Sequence, residues 1–177
     1  MNREFIRDYE RMTFRRYKFG IRFILDLIFR QQIKYMYLFR KYQKSHSLLT
    51  RLWMYRLTRR FGLEISPNAI IGMGLYIGHP FNITVAADVR MGQNVNIHKG
   101  CTIGMENRGD RKGCPTIGNN VYIGINATVV GKVTIGDDVM IGANTFVNFD
   151  VPSHSIVTSE KAVIHHSENA TRNYVVD

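Results

Sequence analysis

The sequence has few of the residues that staple a chain or carry it through a membrane. Its two cysteines, Cys101 and Cys114, stand 13 apart and fit neither a zinc pattern nor a disulfide framework, so a reducing, cytoplasmic setting is expected. No window of 18 residues among the first 62 is free of charge, which argues against a spanning helix. No basic start followed by an apolar run and a small-residue cleavage site is present, so a secretory signal is not expected. Proline is absent before Pro67, and Gly20 is the only glycine before Gly62. Acids are scarce there too. Residues 1–62 hold four (Glu4, Asp8, Glu10, Asp26) against 16 of the 24 Lys and Arg, a balance of +12; residues 63–177 hold ten acids and eight bases, a balance of −2. The net charge of +10 therefore belongs to the first segment. No nucleic-acid-binding motif accompanies it, and nucleic acid is not an expected partner.

What the first segment does hold is aromatic: 14 of the 20 Phe, Tyr and Trp. Stretches such as MTFRRYKFGIRFILDLIFR interleave bases with aromatics and aliphatics. Apolar residues recur at three and four (Phe19, Phe23, Leu27; Leu48, Leu52, Tyr55), the period of helices. Basic, aromatic amphipathic helices favour anionic lipid head groups. Residues 1–62 are thus expected either to touch the inner face of a membrane or to pack on the rest of the protein and its other subunits.

After Gly62 the helical period stops and a six-residue one begins. An inward aliphatic followed by a small or polar residue recurs at Ile71-Gly72, Ile77-Gly78 and Ile83-Thr84. Two extra residues intervene, then come Met91-Gly92, Ile97-His98 and Ile103-Gly104. An excursion over 105–116 follows, and the frame resumes at Ile117, Ile123, Val129, Ile135, Ile141 and Val147. A fixed internal period marks a solenoid. Six residues cover one short strand and a corner, so three hexads close a triangular coil, stacked at about 4.8 Å.

These hexads resemble the hexapeptide-repeat acyltransferases, and the resemblance spans residues 63–158. It implies a mainly β fold: a left-handed parallel β-helix of about four to five triangular coils, preceded by the helical segment 1–62 and followed by a tail, 159–177. It also implies acetyl-CoA as co-substrate, no metal, and a homotrimer with sites between subunits. Within the family, EISPNAIIGMGLYIGHPFNITV is similar to serine acetyltransferases and to O-acetyltransferases of polysaccharide synthesis, in which an acid precedes a histidine by fifteen residues. Here the pair is Glu64 and His79. The resemblance makes His79 the general base and Glu64 its orienting carboxylate, expected to meet at one corner. An alcohol needs its proton removed as it attacks a thioester, and an imidazole with a pKa near 6.5 suits that task.

His98, one coil above Gly78, is the rival base or a substrate contact. Zinc is not expected, since no histidines of the coil region form a close ligand pair. The excursion carries Arg111 and Lys112, and Arg111 resembles a family arginine that contacts the acceptor. For CoA the resemblance offers Gly104, Gly124, Ile125, Gly142 and Ala143, with Lys161 or Lys132 for a phosphate.

The acceptor is read from departures. Serine enzymes carry an Asp before the catalytic histidine, where this chain has Gly78, and a histidine after the loop arginine, where it has Lys112. Their helical domain is about twice as long, and their tail ends in an isoleucine rather than Asp177. A saccharide hydroxyl, on a lipid-linked glycan of capsular, exo- or lipopolysaccharide synthesis, is therefore the expected acceptor. Serine O-acetylation and a non-catalytic membrane-associated scaffold are the alternatives.

Overall fold

The computed structural model describes residues 2–160 and His166. Four helices come first: α1 (Arg3–Thr13), α2 (Ile21–Phe29), α3 (Gln31–Ser45) and α4 (Leu48–Phe61). Gly62 ends α4 in the left-handed conformation (φ 63°), and its N–H bonds to the Thr58 carbonyl. Strands begin at the next residue. The first coil is β1 (Leu63–Ile65), β2 (Ile70–Ile71) and β3 (Tyr76–Gly78); the second is β4 (Ile83–Val85), β5 (Arg90–Met91) and β6 (Asn96–His98). Then follow β7 (Thr102–Gly104), β8 (Thr116–Ile117) and β9 (Tyr122–Ile123), and next β10 (Thr128–Val130), β11 (Thr134–Ile135) and β12 (Met140–Ile141). The chain's last described strands are β13 (Phe146–Val147) and β14 (Ile156–Val157).

Every pairing between these strands is parallel and, apart from that of β12 with β14, joins a strand to the one three places on, which makes three walls: β1-β4-β7-β10-β13, β2-β5-β8-β11 and β3-β6-β9-β12-β14. This is a left-handed β-helix of about five turns. Its interior is a column of aliphatic residues in register. Ile65, Val85, Ile103, Val129 and Val147 stack along the first wall, and Ile77, Ile97, Ile123 and Ile141 along the third. All are buried.

The register corrects one detail of the hexad frame. Ile77 lies on Ile97 and Val85 on Ile103, so Ile77 to Val85 is the eight-residue interval and Val85 to Met91 is six. The two extra residues therefore sit in the turn His79–Asn82, before β4 rather than after it. Ile83 and Val85 both point inward from one strand, so periodicity alone did not show which of them held the frame.

A parallel coil leaves one edge of its first turn without a partner, and unpaired strand edges invite misassociation. Helix side chains close this one. The Tyr35 hydroxyl donates to the Ile65 carbonyl and accepts from its N–H, each at 3.0 Å. Thr58 donates to the Leu63 carbonyl at 2.9 Å and Gln43 to that of Ala69 at 3.2 Å. Arg40 donates to the carbonyls of Ile71 (2.6 Å) and Gly72 (2.7 Å). It also donates to both oxygens of Asp8, with Nε 2.8 Å from Oδ2. Asp8 in turn accepts from the N–H groups of Gly74 (2.7 Å) and Leu75 (2.9 Å). Both charged side chains are about 1% exposed or less. Burial pushes the Asp8 carboxyl up, while the Arg40 guanidinium and the two backbone donors favour its charged form.

Removing one member of such a pair strands a buried charge, which costs about 3–5 kcal/mol. Asp8→Ala and Arg40→Ala are each expected to lose about that much stability in urea denaturation. A joint replacement by apolar residues of similar volume is expected to cost less than either single change.

Candidate active site

Two ladders of left-handed residues run up the corners of the prism. One is Gly62, Asn82, Gly100, Asn126 and Asn144; the other is Gly74, Asn94, Asn120, Asp138 and His154. Asparagine tolerates this conformation because its short amide bonds locally. The amides also bond one another between coils, Asn94 to Asn120 and Asn126 to Asn144, at 3.2 Å each. His79 also has a positive φ, 52°, but stands outside both ladders. It is the first residue of the two-residue insertion, and a left-handed L-residue costs about 1–2 kcal/mol. Around it the turn is pinned: Phe81 N–H bonds the His79 carbonyl at 2.7 Å, Gly100 N–H bonds the Phe81 carbonyl at 3.0 Å, and Pro80 is buried. The backbone is held on both sides and the imidazole is left exposed.

His98 stands beside it on the outside of the third wall. Gly78 pairs with His98 in register, and the His98 ring lies against Tyr122 (centroids 4.8 Å apart) and Tyr76 (5.9 Å). Its Nε2 is buried without a hydrogen-bond partner. Burial, and secondarily the neighbouring His79, lower its affinity for a proton. His98 is thus held neutral next to the exposed imidazole. The two tyrosines were missed by sequence reasoning. Their signal was an aromatic immediately before the inward aliphatic in two coils of one wall.

The register that sets Ile97 on Ile123 and Ile123 on Ile141 continues the row Gly78, His98, Gly124, Gly142 up the same edge. Ile125 and Ala143 follow in that corner, half-buried and exposed. Gly124 is required by stacking, since a Cβ there would lie 2.7 Å from the Ala143 nitrogen. Gly104 is different. It ends a strand of the first wall, and a Cβ there would meet only Val130 and Thr102 methyls at 3.7 and 3.8 Å. Packing within the chain does not demand a glycine at 104.

The excursion folds as a small hairpin, with Glu106 and Gly113 exchanging backbone bonds at 3.0 Å, and the Arg111 carbonyl accepts from Lys132 N–H at 2.8 Å. Arg111 Nε is 3.9 Å from Glu106 Oε2, and Lys112 is exposed. Gly104 and this hairpin lie at the corner after the first wall, whereas His79, His98 and Gly124 lie at the corner before it. Glu64 faces outward from the first wall beside Thr84, in a cleft shared with Tyr35, Arg51 and Thr58. Among the described residues no hydrogen bond or ion pair joins it to His79. Lys161 lies outside the described residues.

Residues 114–148 match the family model described as bacterial transferase hexapeptide (six repeats). The repeat, the β-solenoid and this match are consistent with the hexapeptide-repeat acyltransferase family. It is 41% identical over 101 residues to the serine acetyltransferase of Helicobacter pylori, covering 57% of this chain and 59% of that protein. To that of Staphylococcus xylosus it is 42% identical over 117 residues, covering 66% and 54%. Among solved structures, Neisseria gonorrhoeae serine acetyltransferase in complex with serine superimposes with a TM-score of 0.71 at 28% identity, over 90% of this chain and 67% of that one. Serine acetyltransferase isoform 3 of Entamoeba histolytica, in complex with cysteine, gives 0.71 at 27% over 95% and 60%. The chain thus spans between half and three fifths of the length of these curated relatives.

These likenesses overturn the expectation of a sugar acceptor. One of its supports was the missing acid at position 78, and the structure gives that absence another cause. A Cβ on Gly78 would lie 2.4 Å from His98 Nδ1 and 2.6 Å from Cε1. Glycine at 78 follows from the neighbouring ring, not from the class of acceptor.

Gly78→Asp is therefore expected to lower the melting temperature, with a cost of about 1–3 kcal/mol for overpacking, and Gly78→Asp/His98→Ser to recover most of it. An unfolded histidine titrates near 6.5 and folded His98 below that, so its neutral form favours the fold fully above that value. This contribution is lost as pH falls through the folded value. His98→Gln should flatten the acid side of the stability profile, measured by urea titration at successive pH values.

Proposed function

We propose that the protein is an acetyl-CoA-dependent O-acetyltransferase whose acceptor is the hydroxyl of serine or a closely similar small hydroxy amino acid. The observation that carries this reading is His79: an exposed imidazole on a pinned left-handed turn, produced by a two-residue insertion in a coil otherwise regular. The acceptor class is supported by the names of the relatives that match this coil.

His79 takes the hydroxyl proton as the oxygen attacks the thioester carbonyl carbon. The tetrahedral oxyanion forms beside outward backbone N–H groups of the coil corner, the kind of donor that stabilises such a charge. Collapse breaks the carbon–sulfur bond, and the departing thiolate takes the proton back from the imidazolium, leaving the O-acetyl ester and CoA. Neutral His98 does not compete for the proton, and Glu64 is the carboxylate assigned to bias the His79 ring as the acceptor seats; catalytic hydrogen bonds often tighten only then.

Gly124, Ile125, Gly142 and Ala143 on one edge and Gly104 with Arg111 and Lys112 on another belong to one pantetheine groove and acceptor pocket only if two copies of the chain bring those edges together. A homotrimer of prisms meets that requirement at each of its three interfaces.

With purified protein, CoA release from acetyl-CoA is expected to depend on serine. His79→Ala is expected to lower kcat by about 10²–10⁴-fold, the usual contribution of a general base, while His98→Ala retains measurable turnover. The reverse pattern would falsify the assignment of the base, and absence of serine-dependent release would remove the acceptor. Gly104→Val is expected to raise KM for acetyl-CoA severalfold without shifting the melting temperature, since a Cβ there makes only ordinary van der Waals contacts.

A further inference from the structure

The helical segment presents an outward face that neither the coil nor the proposed site uses. Helix α3 packs between α2 and α4, and over it runs a groove of about 490 Å³ with α2 and α4 as its walls. Ile24 and Ile28 of α2 and Leu49 and Trp53 of α4 line this groove and stand exposed, Ile28 at 60% and Leu49 at 66%. Charge rims it: Lys34 and Lys41 border the groove, and the Lys34 ammonium lies 5.6 Å from the Trp53 ring centroid.

We propose that this face docks on a lipid bilayer bearing anionic head groups. Two observations select that occupant. Residues 14–62 contain 13 bases and one acid, Asp26, and Asp26 is buried, accepting from Tyr9 and paired with Arg15 and Arg30. The face therefore has no acid to offer a second copy of itself, and a self-association there would oppose like charges. An anionic surface neutralises the rim while the side chains between the bases enter the head-group region, the arrangement of an interfacial amphipathic helix. Residues 63–177 balance at −2, so attraction acts on the helical end and turns it toward the surface. Among the described residues no helix is long and apolar enough to cross the bilayer, so docking is peripheral.

The test uses the full chain and vesicles of phosphatidylcholine, with or without phosphatidylglycerol. Trp53 is the sole tryptophan and lies in the groove, so its emission reports directly on the face. Sedimentation with the anionic vesicles alone, a blue shift of Trp53, and loss of both in high salt are expected. Ile28→Glu, at an exposed position remote from the coil, is expected to weaken partition about tenfold or more while leaving serine-dependent CoA release unchanged. Equal sedimentation with both vesicle types, an unshifted emission, or full binding by Ile28→Glu would overturn the proposal. So would a concentration-dependent doubling of mass that Ile28→Glu abolishes in the absence of vesicle binding, which would assign the face to a second copy.

Discussion

A parallel coil makes its hydrogen bonds along its axis, so each turn depends on the turn beneath it, and the first turn has none. That constraint explains the helices. Tyr35, Arg40, Asp8, Gln43 and Thr58 supply to the first turn the donors and acceptors that a lower coil would otherwise have supplied. Four of these reach carbonyls that no strand pairs, and Asp8 takes two N–H groups at the corner. Arg40 meets two carbonyls and a carboxylate at once because its guanidinium is a rigid fork with five donors. A buried ion pair is seldom a net source of stability. Here its directional demand fixes where α1 and α3 seat on the coil, since no other placement satisfies all of its partners.

The same stacking constraint shapes the site. The interior column repeats the same inward positions on each wall in every turn, so extra residues have only one way to go, outward at a corner. Two extra residues between Ile77 and Val85 emerge as the His79 turn; eight between Ile103 and Ile117 emerge as the excursion hairpin. Both departures from the period carry candidate chemistry, and both sit on otherwise rigid coil. The left-handed conformation of His79 is the local cost of expelling that residue, and the flanking bonds from Phe81 and Gly100 hold it there. Strain that the surroundings over-determine is a common mark of functional positions.

The hexads were legible because an interior column repeats its chemistry every six residues, and the change of composition at Gly62 marked where helices give way to strands. The position of the insertion was not, because Ile83 and Val85 are both aliphatic and both inward. Asp8 and Arg40 were invisible for another reason: they lie 32 residues apart on separate helices, and a charged residue in a basic segment reads as a solvated one. Gly78 was the instructive error. A missing acid was read as a statement about the acceptor, whereas the ring of His98, twenty residues on, already occupies the space. A single sequence shows what a position lacks without showing what stands there instead.

The two edges of the prism bear on one another through that same regularity. On one, His79 and His98 lie in line with glycines that stacking needs; on the other, Gly104 is a glycine that the chain itself does not need, next to a hairpin that carries an arginine and a lysine outward. A rigid prism cannot bend to bring its own edges together. Residues on different edges can share a substrate only across an interface, and the unneeded glycine is where such an interface leaves room for one. The chain has put its general-base candidate and its cationic loop on opposite sides of one wall, with Glu64 standing on that wall between them. On the proposed function activity depends on assembly, because no single copy brings both edges to one acceptor.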